Sequence, residues 1–484
     1  MSAHRRDAVV LAVATGLIGV TFGVFADSAG LGLAQASALS VLTFTGASQF
    51  AAVSVLDSGG SPVAAVGSGL LLAAGGVGAV TGTALSSDAA PGRGASRTSR
   101  ITRGTHLVHA DLHNHTLMSD GDGDPALAFD SMRAAGLDVA ALTDHATISD
   151  NVLGEVLAGL LPPEYKQLAG IHQGDWAQTK AYADAANTDG AFTAIRGFEW
   201  SEPLLGHVNV WFTEHYVDVL QAGVMQPLLD WLAREPGLVL DGGADGLAGF
   251  NHPGREPGRF QEFHYDERMR DRIVSLEMFN RGDDYLFEGW ADGKSSPLCA
   301  CLNVGWRTGI AGVTDEHGTD WGFPEGKGRT GLWVTHHTRG GVKRAMKRRR
   351  FFATRTSGLR LDATAELKDG RRRPMGSTIP ITKDRNVLRV RLDLARDRAW
   401  RGRRLHAQVL RPGVDAPEVV KVVPFDVGPV LDFRVKVDVE DGDWMLVRIS
   451  DPDEPNASPG PDGHPCNDLG VAYTSPWWLE PQAG

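Results

Sequence analysis

Between residues 106 and 355 short apolar runs alternate with helical stretches, and this alternation restricts the fold more than any other feature of the chain. Leu107–Leu112, Val139–Leu142, Phe192–Phe198, Val208–Phe212, Leu247–Phe250, Ile273–Met278, Ile310–Val313 and Leu332–Val334 have the length and composition of strands. Segments such as Pro125–Ala135 and Tyr182–Asn187, lying between them, read as helices. Strands that alternate with helices predict an α/β barrel with parallel strands over 106–355. Beyond it the character changes. Leu359–Ala363, Val387–Leu394, Leu405–Leu410, Phe433–Val439 and Trp444–Ile449 are apolar runs separated by Pro, Gly and Asp, with no long helical period. They predict a β-sandwich over 356–484. Residues 88–105 have no apolar period and read as a linker.

Charge is distributed unevenly. The formal net charge is -11, yet between Asp7 and Asp88 the only charged residues are Asp27 and Asp57. An acidic balance excludes a general nucleic-acid binder, which needs a basic surface. Ala8–Ala26, Ser28–Leu56 and Ser58–Ser87 are uncharged and each is long enough to cross a hydrocarbon layer as a helix. Their Gly, Ala and Ser suit close helix packing in lipid. Leu17-Ile-Gly-Val-Thr-Phe-Gly-Val-Phe25 and Phe44-Thr-Gly-Ala-Ser-Gln-Phe-Ala51 resemble the start of AzlC-type branched-chain amino-acid exporters. Leu70–Ala74 through Ala84–Ser87 also resembles a secretory apolar region with a small-residue cleavage site. The expectation for 1–87 is a transmembrane or leader region, with the rest membrane-anchored or exported and extracytoplasmic. His4-Arg5-Arg6 favours a cytoplasmic N-terminus, and three spans then place the enzyme outside. Arg93, Arg97, Arg100 and Arg103 after the last span pull the other way. The three cysteines, Cys299, Cys301 and Cys466, form no disulfide framework, and Cys299-Ala-Cys301 lacks the second pair that a soft-metal site needs.

The chemistry-bearing residues gather where the predicted strands end. In α/β barrels the C-terminal strand ends line the active site. Asp111-Leu-His113-Asn-His115 runs out of the first strand, and in extended chain alternate residues share a face, so both imidazoles can grip one cation. Asp120 follows five residues later. Thr143-Asp144-His145 follows the second strand and Gly197-Phe198-Glu199-Trp200 ends the third. A carboxylate can bridge two cations, which a neutral imidazole cannot, so Glu199 is the candidate bridge. Gly206-His207-Val-Asn-Val, Asn251-His252-Pro253-Gly254 and Thr314-Asp315-Glu316-His317-Gly318 complete the set.

Taken together and in this order, these motifs resemble the PHP superfamily, named for its polymerase and histidinol-phosphatase members. The resemblance covers about residues 107–355. It implies a distorted (β/α)7 TIM-like barrel with a site for two to three divalent ions. One would take His113, His115, Glu199 and Asp315. A second would take Glu199, His207 and His252, and the third Asp120, His145 and His317. The forms of the motifs, with a β domain ending in Ser475-Pro-Trp-Trp-Leu-Glu480, look most like the exported branch of that superfamily.

Oxygen and nitrogen donors suit Zn, Mn or Fe(II). Closely spaced cations lower the pKa of a bridging water to about 7, and the hydroxide attacks phosphorus or a carbonyl. The expected activity is therefore metal-dependent phosphoester hydrolysis of a small molecule, with Glu199, Asp315, His317 and Arg255 at the reacting centre. Arg255 and Arg307 are candidates to clamp a phosphate. Carboxylic or carbamic ester hydrolysis is the alternative within the same site. A transporter with a regulatory appendage and an inert binding module are the alternatives of other classes. The other ten of the 16 histidines fit no motif and read as surface or capping residues. Asp144 reads as orienting His145, Glu316 as lying behind the ligands, and Glu277 as either facing the site or packing at its rim. Lys343-Arg-Ala-Met-Lys-Arg-Arg-Arg350 reads as a solvated helix face, and Trp477-Trp478 as core of the β domain.

Overall fold

The computed structural model describes residues 95–147, 170–171, 173–219, 221–237, 241–322, 325–367, 369–382, 386–438, 440 and 442–481. The region 1–87 and residues 88–94 of the expected linker lie outside the described residues. Among the described residues no helix is long and apolar enough to cross a membrane.

The chain is a mixed α/β structure with large sheets. It opens with strand β1 (His106–Asp111), helix α1 (Pro125–Ala134), strands β2 (Val139–Leu142) and β3 (His145–Ala146), and helix α2 (Gln173–Ala186). Strands β4 (Thr193–Glu202) and β5 (Gly206–Trp211), helix α3 (Met225–Ala233), and strands β6 (Leu247–Phe250), β7 (Ile273–Asn280) and β8 (Asp283–Asp284) follow. Helix α4 (Pro297–Asn303), strands β9 (Gly309–Val313) and β10 (Arg329–Val334), helix α5 (Arg339–Lys347) and β11 (Phe351–Thr354) end this part.

Helix α1 shows why local sequence places these elements. Asp124 caps it by accepting from the Ala126 and Leu127 N–H groups at 2.8 and 3.4 Å, and Pro125 takes the first helical position. Its buried residues Pro125, Ala128, Phe129 and Met132 fall three or four apart. Phe129 packs edge-on against Phe192, which enters β4.

The sheet runs β9-β7-β6-β5-β4-β2-β1-β10-β11. The expected all-parallel closed barrel is not seen. Pairs β1/β2, β2/β4, β6/β7 and β7/β9 are parallel, but β4/β5, β5/β6 and β1/β10 are antiparallel. Only residues 203–205 separate β4 from β5. A parallel crossover needs about a dozen residues or more, so this pair must be a hairpin. Strand β10 occupies the edge of β1 where β9 would close a ring. Instead, loops join the two ends. The Asp315 N–H donates to the His113 carbonyl at 3.0 Å and the His115 N–H to the Glu316 carbonyl at 2.9 Å. The tie falls on the segments that carry the candidate ligands.

The same sheet continues beyond β11. Strand β12 (Arg360–Glu366), β13 (Arg372–Pro374), β14 (Thr378–Ile381), β15 (Asn386–Ala395), β16 (Arg404–Arg411), β17 (Glu418–Asp426), β18 (Leu431–Val437), β19 (Trp444–Pro455), β20 (Asp468–Thr474) and β21 (Trp477–Pro481) complete the chain. β11 pairs with β20, which leads through β19 and β16 to β17. A second sheet, β13-β12-β15-β18, meets it through one apolar core that includes Leu361, Val390, Val409, Val447 and Trp477. Trp477 and Trp478 are buried.

Segment 95–105 is fixed by hydrogen bonds of its own. Ser99 Oγ donates to Asp362 at 2.5 Å and the Arg100 N–H to Asp393 at 2.7 Å. The basic run 343–350 is only partly a solvated face. Arg349 and Arg350 are buried, with Arg350 3.5 Å from Asp362 and Arg349 donating to the Arg307 and Arg270 carbonyls.

Candidate metal centre

Strand register brings the site together. In the parallel pair β3/β4, His145 lies opposite Glu199. In the hairpin, Ser201 lies opposite His207, on the turn side of Glu199. Strand β6 runs into Asn251 and His252, and β9 into Asp315 and His317.

Glu199 is the centre of the arrangement and is fully buried. Its Oε1 lies 3.1 Å from His113 Nε2, 3.2 Å from His207 Nδ1 and 3.4 Å from His252 Nε2. Its Oε2 lies 2.7 Å from His145 Nδ1 and 3.5 Å from His115 Nε2. Asp315 Oδ1 sits 3.4 Å from His113 Nε2 and 3.3 Å from His115 Nε2. Asp120 meets His145 Nε2 and His317 Nε2, each at 3.4 Å. All nine candidate ligands therefore converge. They fall into sets able to hold a cation: His115, Asp120, His145 and His317; His113, His115 and Asp315; His145, Glu199 and His207; and His207, His252 and Glu256.

The donors fit a cation better than they fit each other. His113 Nε2 and His115 Nε2 face one another at 3.1 Å. Each ring nitrogen has either one lone pair or one proton. A bond between the two would use the one proton and the one lone pair they have there, leaving the Asp315 and Glu199 oxygens that approach both nitrogens within 3.5 Å without a donor. His115 Nδ1 is buried without a hydrogen-bond partner among the described residues. His252 Nδ1 is likewise without one, although Glu256 Oε1 lies 3.2 Å away in poor alignment. No thiol belongs to these sets. The three cysteines are free and buried, and burial pushes the Cys299 and Cys466 thiols up to about 12.

Electrostatics follow from burial among opposite charges. Burial opposes the charged form of His145, but Glu199 and Asp120 outweigh it and raise its pKa to about 10. The same contest, with Glu199 and Glu256 as partners, raises His252 to about 9. His115 goes the other way, to about 3, because burial is joined by His145 and His317. Burial alone would raise Glu199 and Asp315, yet the surrounding imidazoles hold both well below the usual carboxylate range. These raised values carry a pH dependence. A metal must displace protons from His145 and His252, so uptake should tighten as pH rises towards 9 to 10 and should release protons below that range. The metal-free chain should behave oppositely. A His pKa raised on folding contributes stability that is whole below about 6.5 and is lost as pH rises through 9 to 10. Calorimetric titration with Mn or Zn in buffers of different ionisation enthalpy measures the proton release, and its absence would contradict the reading.

Neighbouring groups hold the ligands in place. Glu277 faces the site: its Oε1 lies 2.9 Å from His113 Nδ1, and its Oε2 accepts from the His252 N–H at 2.8 Å. Asn251 Nδ2 donates to Glu199 at 2.7 Å. Asp144 does not reach His145 but accepts from the Thr116 N–H at 2.7 Å and Ser119 Oγ at 2.8 Å, fixing the loop that carries Asp120. Glu316 lies outside the cluster, taken by the Gly318 N–H and Lys327 at 2.9 and 2.7 Å. His252 and Asp315 adopt positive φ, 24° and 50°, and so does Arg281 at 52°. Such backbone costs about 1–3 kcal/mol per residue and clusters at functional sites.

The loop after His115 leaves no room for a side chain at Gly121. A Cβ there would lie 2.6 Å from the His115 carbonyl carbon and the Thr116 nitrogen. Gly121→Ala should displace Asp120 and lower turnover by about 10²-fold, the cost of misplacement near 1 Å. Wild-type rate and metal content in that variant would show that Asp120 has no part in the site.

The mouth is ringed by arginines. Arg255 donates to Tyr285 Oη at 2.9 Å, and both Arg255 and Arg281 come within 3.6 Å of Asp315 Oδ2. Their side chains are 41% and 49% exposed, so their free donors can meet a ligand. The expectation for Arg307 fails. It pairs with Glu480 and lies over Trp478, both on β21, and so is engaged by the C-terminal strands although Asp315 is only eight residues away in sequence. Glu256 and Arg281 were not among the sequence candidates. Both follow strand ends, β6 and β7, which is the signal that would have found them.

Residues 10–74 match the AzlC protein family, well under half of the chain. No curated protein matches the sequence. Among solved structures, a two-domain protein from Bacteroides vulgatus containing a predicted PHP-like metal-dependent phosphoesterase is 14% identical. It covers 78% of this chain and 98% of its own, with a TM-score of 0.38. PsfC from Pseudomonas syringae is 14% identical over 47% of this chain and 82% of its own, with a TM-score of 0.24. An amidohydrolase from Chromobacterium violaceum with bound sulfate is 15% identical over 43% of this chain and 87% of its own, with a TM-score of 0.23.

Proposed function

We propose that residues 106–355 are a PHP-type metal-dependent hydrolase that cleaves phosphoesters of a small molecule. The observation that carries this reading is Glu199, a buried carboxylate whose two oxygens face five imidazoles. Two to three divalent ions, Zn, Mn or Fe, fit its oxygen and nitrogen surroundings. His113, His115, Glu199 and Asp315 would hold one, Glu199, His207 and His252 a second, and Asp120, His145 and His317 a third, with Glu256 beside the second. Bound cations supply a water of lowered pKa and neutralise charge developing on the substrate.

The chain's own residues do the rest. His113, His115 and Glu199 form a floor closed to solvent, while His317 (28% exposed) and Asp120 (16%) border the mouth. A substrate entering there meets Asp315 and His317 together with Arg255 and Arg281. A planar guanidinium matches two phosphate oxygens, which favours a phosphoester over a neutral ester. Residues 356–484 are assigned to an accessory β domain, and 1–87 to a membrane or leader region that keeps the enzyme at or beyond a membrane.

His113→Ala should remove metal and abolish turnover while leaving the far-ultraviolet dichroism unchanged. Elemental analysis with assays on p-nitrophenyl phosphate, bis-p-nitrophenyl phosphate and p-nitrophenyl acetate tests this. Full activity in the variant would sink the site assignment. Turnover of the acetate alone by the wild-type chain would replace the phosphoester reading with ester hydrolysis.

A further inference from the structure

A second site for an anion lies outside the histidine cluster. A cleft of about 550 Å³ is bordered by Ala95 and Ser96 and by the residues that follow β15, and it shares no residue with the candidate metal centre. Five arginines line it: Arg100, Arg360, Arg396, Arg398 and Arg401. Asp397 is the only carboxylate among the described residues of its wall; it caps the Ala399 and Trp400 N–H groups at 3.0 and 3.3 Å and lies 4.0 Å from Arg396 Nε.

The positive charge is incompletely balanced. Asp393, fully buried, serves two guanidinium groups at once, accepting from Arg100 Nε at 2.8 Å and Arg360 Nη2 at 2.9 Å. Arg396 is held by Glu325 at 2.9 Å. Arg398 and Arg401 are exposed, and their guanidinium groups meet no carboxylate among the described residues. The second observation is Arg360 itself. Its residue is 5% exposed, it lines the cleft, and its buried Nε has no hydrogen-bond partner among the described residues. A desolvated donor without an acceptor is unfavourable, and several acceptor oxygens would relieve it.

We propose that this cleft binds a small, multiply charged phosphate-bearing molecule, with a diphosphate or two phosphates facing the arginines. Guanidinium forks match phosphate oxygens two at a time. The cleft is larger than one phosphate requires, and more than one positive charge lacks a partner. Both features favour a ligand with two phosphates over a single monoanion.

Titration of the full chain with inorganic pyrophosphate, in chelator to keep the metal centre out of the reading, tests the proposal. Arg398→Ala with Arg401→Ala alters only exposed side chains and so preserves the fold. Pyrophosphate should bind the wild-type chain, orthophosphate should bind more weakly, and added salt should weaken both. The double variant should bind pyrophosphate at least about tenfold more weakly, as expected when charges facing a ligand are removed. Equal affinity in variant and wild type would locate the anion elsewhere and overturn the proposal. So would the absence of pyrophosphate binding, or equal affinity for the two anions.

Discussion

Glu199→Gln should strip the chain of most of its divalent metal and lower phosphoester turnover by more than about 10²-fold, since loss of an outer partner alone costs 10–100-fold. The amide keeps the shape of the side chain but removes its charge and turns an N–H2 toward imidazole nitrogens. His113, His207 and His252 lose the oxygen they share, and His145 loses the carboxylate 2.7 Å from its Nδ1. Removing one member of a buried charged set costs about 3–5 kcal/mol, so the metal-free variant should also be less stable. Glu277→Gln gives the graded control. Glu277 touches His113 Nδ1 and the His252 N–H and orients ligands without belonging to a ligand set, so its loss should fall within about 10–100-fold. Elemental analysis after dialysis against Zn, Mn or Fe(II), with turnover of bis-p-nitrophenyl phosphate, measures both. If Glu277→Gln proves as damaging as Glu199→Gln, Glu199 is not the shared ligand.

Much of this centre was legible because its residues obey a positional rule. His113, His145, Glu199, His252 and Asp315 all follow or end short apolar runs, and the carboxyl ends of strands gather on one side of such a sheet. The same rule explains the error at Arg307. That residue precedes β9, so it emerges at the opposite end of the strand and reaches Glu480, whereas Arg281 follows β7 and reaches Asp315. The antiparallel hairpin was also within reach. The apolar runs ending at Phe198 and starting at Val208 leave too little chain for a parallel crossover. What hid it was Glu199 and Ser201, polar residues that extend β4 on the face turned to the site, while Trp200 between them packs in the core. Strands β13, β14, β17, β20 and β21 also escaped notice, and for β13 and β17 the reason is exposure. β17 is largely exposed along its length, so no apolar alternation marks it. Arg349 and Arg350 were misplaced because composition cannot tell a solvated run from one that donates to buried carbonyls and Asp362.

The second large effect is expected from Arg448→Met, at a buried group that joins the strands of the site to the C-terminal sheet. Arg448 is fully buried on β19. It donates to Tyr473 Oη at 2.9 Å, to Gln408 at 2.7 Å and to Asp468 at 2.5 Å, and lies 3.7 Å from Asp284 on β8. Tyr473 Oη in turn donates to Asp284 at 2.9 Å. Methionine fills much of the volume but leaves Asp284 buried without a cation, its charge met only by the Tyr473 phenol and the Leu286 N–H at 3.1 Å. The expected loss is about 3–5 kcal/mol, the cost of breaking a buried ion pair from one side. Replacing Asp284 by Leu in the same chain should restore part of it, since an apolar pair of similar volume can match a buried ion pair. A functional consequence follows from the next residue. Tyr285 holds Arg255 through its hydroxyl, so a loosened Asp284 should raise KM for a phosphoester more than it lowers kcat. Urea unfolding of the metal-loaded chain reads the first effect and steady-state kinetics the second. A stability change below about 1 kcal/mol would place Arg448 among the many ion pairs that contribute little.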